Sequence, residues 1–254
     1  MSQVTTKSRI ALISGANQGI GQAVATSLAK EHGFTVIIGS RNLSTGQAVA
    51  DKLRAAGHAA TAVQLDVTSD ASIAAAVATI DASFGRLDVL VNNAGVNLDE
   101  GANTFRPQPK LAPRELFERT FGTNVIGTAC LTEALLPLLR RSEQGGPRIV
   151  FVSSSMGSFS HATDRNSPIW KIDYKAYDSS KAAVNMLAVN YARILEPVGG
   201  SVNAACPGLV STNLVGFTEA GAPVELGARR IVELATMEDP PNGTYSDKDG
   251  PIAW

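Results

Sequence analysis

The sequence is short of the residues that build metal centres and cross-links. Only two of its 254 residues are cysteine, Cys130 and Cys206, and three are histidine, His32, His58 and His161. Two cysteines make no disulfide framework and fit a reducing compartment. With the histidines they show no metal-ligand spacing, so no metal site is expected. No apolar run approaches the ~20 residues that span a bilayer. The polar opening residues lack the basic start and long apolar core of a signal peptide. The formal net charge is −1, too small to draw the chain to nucleic acid or anionic lipid. Heptads, basic aromatic patches, a G-x-S-x-G hydrolase turn and 20–50-residue repeats are also missing. These absences leave a soluble, cytoplasmic globular chain, expected to bind neither nucleic acid nor membrane and long enough for one large core.

What is present alternates. Apolar runs at residues 9–14, 35–38, 62–65, 87–91, 148–152 and 201–206 read as buried strands, with a last edge strand near Thr244-Tyr245. Helical patterns lie between them, at about 22–32, 44–56, 71–84, 114–141 (kinked at Pro137), 177–195 and 223–235. The pattern predicts an α/β fold: a doubly wound (Rossmann) parallel sheet of seven strands with helices on both faces, in a single domain over 1–254. Three segments are irregular, at about 96–113, 156–176 and 209–222. They should wall a substrate site at the carboxyl edge of the sheet.

The first strand runs into Gly15-Ala16-Asn17-Gln18-Gly19-Ile20-Gly21 and then a helix. Strand, glycine turn and helix together are what a dinucleotide-binding turn requires. Gly15 permits the tight turn, Gly19 lets backbone approach a pyrophosphate, and Gly21 lets helix pack on strand. The phosphates belong at the helix N-terminus, where free N–H groups and the dipole favour anions. About twenty residues on, an acidic residue would bind the ribose hydroxyl of NAD. Ser40 and Arg41 stand there instead, and the planar fork of Arg41 suits a 2′-phosphate. The expected cofactor is therefore NADP(H).

Tyr177 and Lys181 are four residues apart, which on a helix places both on one face. A nearby positive charge favours the phenolate. Asn124 interrupts the apolar pattern of a long helix, and Ser153-Ser154-Ser155 end the fifth strand.

Taken in order, the glycine turn, Asp66-Val67, Asn92-Asn93-Ala94-Gly95, Asn124, Ser154, Tyr177 with Lys181, and Pro207-Gly208 resemble the short-chain dehydrogenase/reductase family over nearly the whole chain. The Gly39-Ser40-Arg41 stretch, Gly46-Gln47-Ala48 and the 23 residues from Ser154 to Tyr177 are similar to its carbonyl reductase branch, where a lysine often stands in place of Gln18. The resemblance implies a catalytic set of Asn124, Ser154, Tyr177 and Lys181. Tyr177 would give a proton to a substrate carbonyl, Ser154 hold its oxygen, Lys181 bind the nicotinamide ribose and lower the Tyr177 pKa, and Asn124 support a proton path through Lys181. It also implies a cofactor site of Gly15, Asn17, Gln18, Gly19, Ile20, Gly21, Ser40, Arg41, Asn42, Asp66, Val67, Asn93, Ala94, Gly95, Tyr177, Lys181, Pro207, Gly208, Val210 and Thr212. Asn92 would lie on the adenosine side. The implied activity is NADPH-dependent reduction of a small ketone, aldehyde or quinone. Alternatives are a non-catalytic NADP-binding regulator and an oxidative alcohol dehydrogenase of the same fold. Phe159, Trp170, Leu214 and Phe217 are candidate lining for an apolar or aromatic substrate. A monomer or homodimer is expected, with a tetramer left open.

Overall fold

The computed structural model describes residues 8–100, 110–143 and 145–254. Its centre is a sheet in the order β3-β2-β1-β4-β5-β6-β7-β8. The strands are β1 (Ile10–Ser14), β2 (Thr35–Ser40), β3 (Ala60–Gln64), β4 (Val89–Asn92), β5 (Arg148–Val152), β6 (Ser201–Ala205), β7 (Tyr245–Asp247) and β8 (Gly250–Pro251). All neighbours pair in parallel except β7 with β8. The eighth strand corrects the expectation of seven. It is a two-residue return of the chain onto β7, too short for periodicity to register.

Strands covered on both faces must be apolar on both, and β1 and β5 are buried at every residue. Alternation then sorts their side chains into two layers. Leu12, Ile37, Leu90, Ile149 and Phe151 face the layer of α3 (Asp70–Phe84), α5 (Thr128–Leu139) and α7 (Lys175–Leu195). Ala11, Ile13, Val36, Ile38, Val91 and Val150 face α1 (Gly19–His32), α2 (Leu43–Ala55) and α8 (Val224–Thr236). The chain moves outward from β1 to β3, then returns to lay β4 on the other side of β1. This reversal opens a crevice at the carboxyl ends of β1 and β4, where such sheets bind ligands.

The long fourth helical stretch is not uniform. It comprises α4 (Pro113–Phe121), a π-helical turn (Gly122–Gly127) and α5. The departure from α-geometry is at this turn, and Pro137 lies inside the regular α5. A Cβ on Gly127 would come within 2.4 Å of the Val67 carbonyl oxygen, so the turn lies directly on the backbone after β3. By length and composition this helix could cross a membrane, contrary to the expectation of no such stretch. Its Leu131, Leu135 and Leu138 are instead buried in the core. The segment 156–176, read as irregular, contains the short α6 (Phe159–Thr163) and a 3-10 turn (Pro168–Lys171). Residues 101–109 of the expected loop lie outside the described residues.

Candidate active site

The turn after β1 is built for close approach. Gly15 and Gly19 take left-handed φ of 65° and 58°, which costs a glycine nothing. A Cβ on Gly21 would meet Asn93 Nδ2 at 2.5 Å and the Gly15 oxygen at 2.7 Å. Asn93 Nδ2 ties this turn to β4 by donating to the carbonyls of Ser14 (2.9 Å) and Gly15 (3.2 Å). Helix α1 starts here with no side-chain cap from Gln18 and no acidic residue in its first turn. Its N-terminal N–H groups face a cleft of about 1290 Å³. A helix N-terminus of this kind takes an anion, so the residues fit a dinucleotide.

Of the expected cofactor residues, Gly15, Asn17, Gln18, Gly19, Ile20, Ser40, Arg41, Asn42, Asp66, Val67, Asn93, Ala94, Gly95, Tyr177, Lys181, Pro207 and Thr212 line the cleft. Thr212 sits across it from Gly19. Val210 is placed differently. It is buried, bridges to Ala222 and packs where Gly227 of α8 has no side chain. Gly21 and Gly208 are likewise not in the lining. Asn92 points into the opposite layer, where its Nδ2 donates to Thr132 Oγ1 at 2.9 Å. The alternation of β4 explains this, since neighbouring residues face opposite sides. Ser40 Oγ lies 3.1 Å from Thr45 Oγ1 and 2.8 Å from the Asn42 oxygen. Arg41 is exposed at the cleft's outer end. The Asp66 carboxyl is held below its usual range, first by the Thr68 N–H and least by Arg41.

Helix α7 carries the second half of the site. The side chain of Lys181 is buried and its Nζ donates to the Val152 carbonyl at 2.8 Å. The same Nζ lies 5.5 Å from the Tyr177 ring centroid. Burial draws Lys181 down to about 8. Burial also pushes Tyr177 above its ordinary value, while a hydrogen bond with Ser154 acts the other way. Within the protein, then, desolvation of the phenolate is the largest influence on Tyr177, ahead of any neighbouring charge. Such a phenol keeps its proton at neutral pH and suits the role of acid.

The serine turn is pressed onto α7. A Cβ on Gly157 would come within 2.6 Å of the Lys181 carbonyl carbon. Ser154 caps this turn, accepting the Met156 N–H at 3.3 Å. Its neighbours are engaged elsewhere. Ser153 Oγ donates to Asn185 Oδ1 at 2.5 Å, and the Ser155 N–H donates to Cys206 Sγ at 3.1 Å. Of the three serines, Ser154 is the one whose hydroxyl eases the Tyr177 phenol back toward its ordinary value.

Asn124 sits in the π-turn, buried. Its Nδ2 donates to the Val96 carbonyl and to Ser180 Oγ, each at 2.9 Å, and its Oδ1 accepts the Val96 N–H at 2.8 Å. It thus joins the segment after β4 to α7. Asp99, unmarked by any motif, lies in the same network and is 3% exposed. Its carboxylate accepts the backbone N–H groups of Ala176 (3.1 Å) and Tyr177 (2.8 Å). Of the four aromatic and aliphatic candidates, Leu214 and Phe217 line the cleft, while Phe159 and Trp170 are exposed outside its lining. Among the described residues no group of three His, Cys, Asp or Glu could hold a metal.

A family model described as short chain dehydrogenase matches residues 9–222. A short-chain dehydrogenase of Penicillium roqueforti, anuI, is 35% identical over 236 residues, covering 91% of this chain and 90% of that protein. Carbonyl reductase [NADPH] 1 of Sus scrofa is 31% identical, covering 99% and 96%. Among solved structures, a short chain dehydrogenase from Burkholderia cenocepacia in complex with NADP superposes with a TM-score of 0.76 at 26% identity, over 94% of this chain and 95% of that one.

Proposed function

The chain belongs to the short-chain dehydrogenase family, and on that premise we propose that it reduces a ketone, aldehyde or quinone to an alcohol with NADPH. Oxidoreductase chemistry with a nicotinamide cofactor comes with the family. One observation carries the finer reading. Tyr177, Ser154 and Lys181 meet at the carboxyl edge of the sheet, beside a glycine cradle whose helix N-terminus is left open. Bound in that cradle, NADPH supplies the hydride.

The protein's part is placement and charge. The uncapped N-terminus of α1 holds the diphosphate. Arg41 presents a planar fork of donors to the 2′-phosphate. Lys181 holds the nicotinamide ribose. As hydride reaches a carbonyl carbon, negative charge gathers on its oxygen, and Tyr177 and Ser154 are placed to donate to it. Tyr177 then delivers its proton, and Lys181 and Asn124 lie on the route by which it is replaced. Support for NADPH and for a carbonyl comes from the name of the pig relative, carbonyl reductase [NADPH] 1, and for NADP from the Burkholderia complex. Leu214 and Phe217 favour an apolar or aromatic substrate.

The test is oxidation of NADPH, and separately NADH, against a panel of ketones, aldehydes and quinones. Turnover should favour NADPH, and Tyr177→Phe should lower kcat by roughly 10²–10⁴-fold with cofactor binding intact. Equal turnover by the variant would overturn the mechanism. Binding without turnover in the parent would favour a cofactor-binding regulator.

A further inference from the structure

A proton donor is only as well aimed as the backbone that carries it. At Tyr177 both backbone polar groups are tied to side chains. The carbonyl accepts from Ser180 Oγ at 2.7 Å, and the N–H donates to Asp99 Oδ2 at 2.8 Å. The first bond is local to α7. The second comes from a residue 78 positions earlier in the chain.

The first N–H groups of a helix have no partner within it and must find one outside when buried. Helix α7 has none of its own, since Tyr174 at its N-cap gives no side-chain capping bond. Asp99 fills the role from outside, taking the N–H groups of Ala176 and Tyr177 on separate oxygens. The segment carrying Asp99 is itself fixed. Asn97 Oδ1 accepts the Asp99 N–H at 3.2 Å, and Val96 is bound to Asn124 through both its N–H and its carbonyl. Asn124 also donates to Ser180 Oγ, which holds the Tyr177 carbonyl. The bonds and the short backbone between them close a ring through Asn124, Val96, Asp99, Tyr177 and Ser180.

We propose that Asp99 is a positioning residue for Tyr177: its buried carboxylate fixes the first turn of α7 and so aims the phenol at Ser154 and the cleft. The proposal rests on Tyr177 as the proton donor. Asp99 is not in the lining of the cleft, so it acts first on the aim of Tyr177 and far less on the glycine cradle that holds most of the cofactor.

The experiment compares Asp99→Ala and Asp99→Asn with the parent. In Asp99→Ala, kcat at saturating NADPH should fall about 10–100-fold, as expected when a reacting group shifts by about 1 Å. NADPH affinity should stay within about twofold of the parent. Asp99→Asn keeps one acceptor and should fall in between. Amide hydrogen exchange at Ala176 and Tyr177 should quicken by at least about tenfold in Asp99→Ala, and less in Asp99→Asn. Parent-like kcat in both variants, or unchanged exchange, overturns the proposal. So does a loss of kcat that merely follows the loss of folded protein and of NADPH affinity. If Asp99→Ala does not fold, Asp99→Asn carries the same readouts. If the parent reduces no carbonyl, the functional reading falls, and exchange at Tyr177 decides the anchoring by itself.

Discussion

Helices α1 and α7 both reach the cleft, as α8 does, and neither of the two brings its own cap. Gln18 and Tyr174 stand at the cap positions without a side-chain capping bond. The two helices after α1 have caps of their own, Asn42 on α2 and Ser69 on α3, whereas α4 and α8 have none. At α1 the donors stay open to the cleft. At α7 they are closed by Asp99 from across the fold. The difference separates two tasks. An open N-terminus is a binding site for an anion that comes and goes. A closed one is a mount for a side chain whose direction matters.

Three further changes bear on this contrast. The largest effect is expected from Gly21→Ala, where the added Cβ meets Gly15 backbone at 2.7 Å. It should cost about 1–3 kcal/mol of stability and spread the cradle, abolishing measurable NADPH binding. Denaturant unfolding and fluorescence titration check both. Next, Gln18→Asp gives α1 the cap that it lacks. Stability should rise by about 0.5–1 kcal/mol, while NADPH affinity falls about tenfold because a carboxylate now competes for the donors. Opposite signs from one substitution would be hard to explain if the open terminus had no ligand. The smallest effect tests the side effect of the imported cap. Burial, then the charges of Asp99 and Asp173, raise Asp178 to about 7, and its Oδ1 is buried without a hydrogen-bond partner. The folded pKa lies above the unfolded one, so the native state holds the extra proton and stability falls as pH rises from about 4 to about 7. Asp178→Asn should therefore exceed the parent by about 1 kcal/mol at pH 8, after allowing for solvent screening. That margin should vanish near pH 4, as read by thermal unfolding.

Much of this was legible in the residues. The strands announce themselves as apolar runs because both faces of the sheet are covered, and the glycine turn and the Tyr177–Lys181 spacing carry their own geometry. Other features leave no local trace. Asp99 meets Tyr177 across 78 positions of sequence, and periodicity does not reach that far. The π-turn needed two observations to be read together: a polar Asn124 among apolar neighbours, and a glycine at each end of Gly122–Gly127. The reversed placement of Asn92 and Asn93 was recoverable from strand alternation alone. The Tyr177 pKa was not, because burial depends on everything packed around it.

The glycine at 157 has a consequence for how such a chain can change. With no side chain there, the Ser154 turn rests directly on the α7 backbone at Lys181. The polypeptide between them, Ser158 to Tyr174, is a detour that leaves and returns without setting the spacing of its ends. Its described residues do not line the cleft, so it can lengthen, shorten or be exchanged without touching the reacting groups. Gly157 thus uncouples the length of that detour from the chemistry, and grafting it from a relative should leave the reacting groups in register.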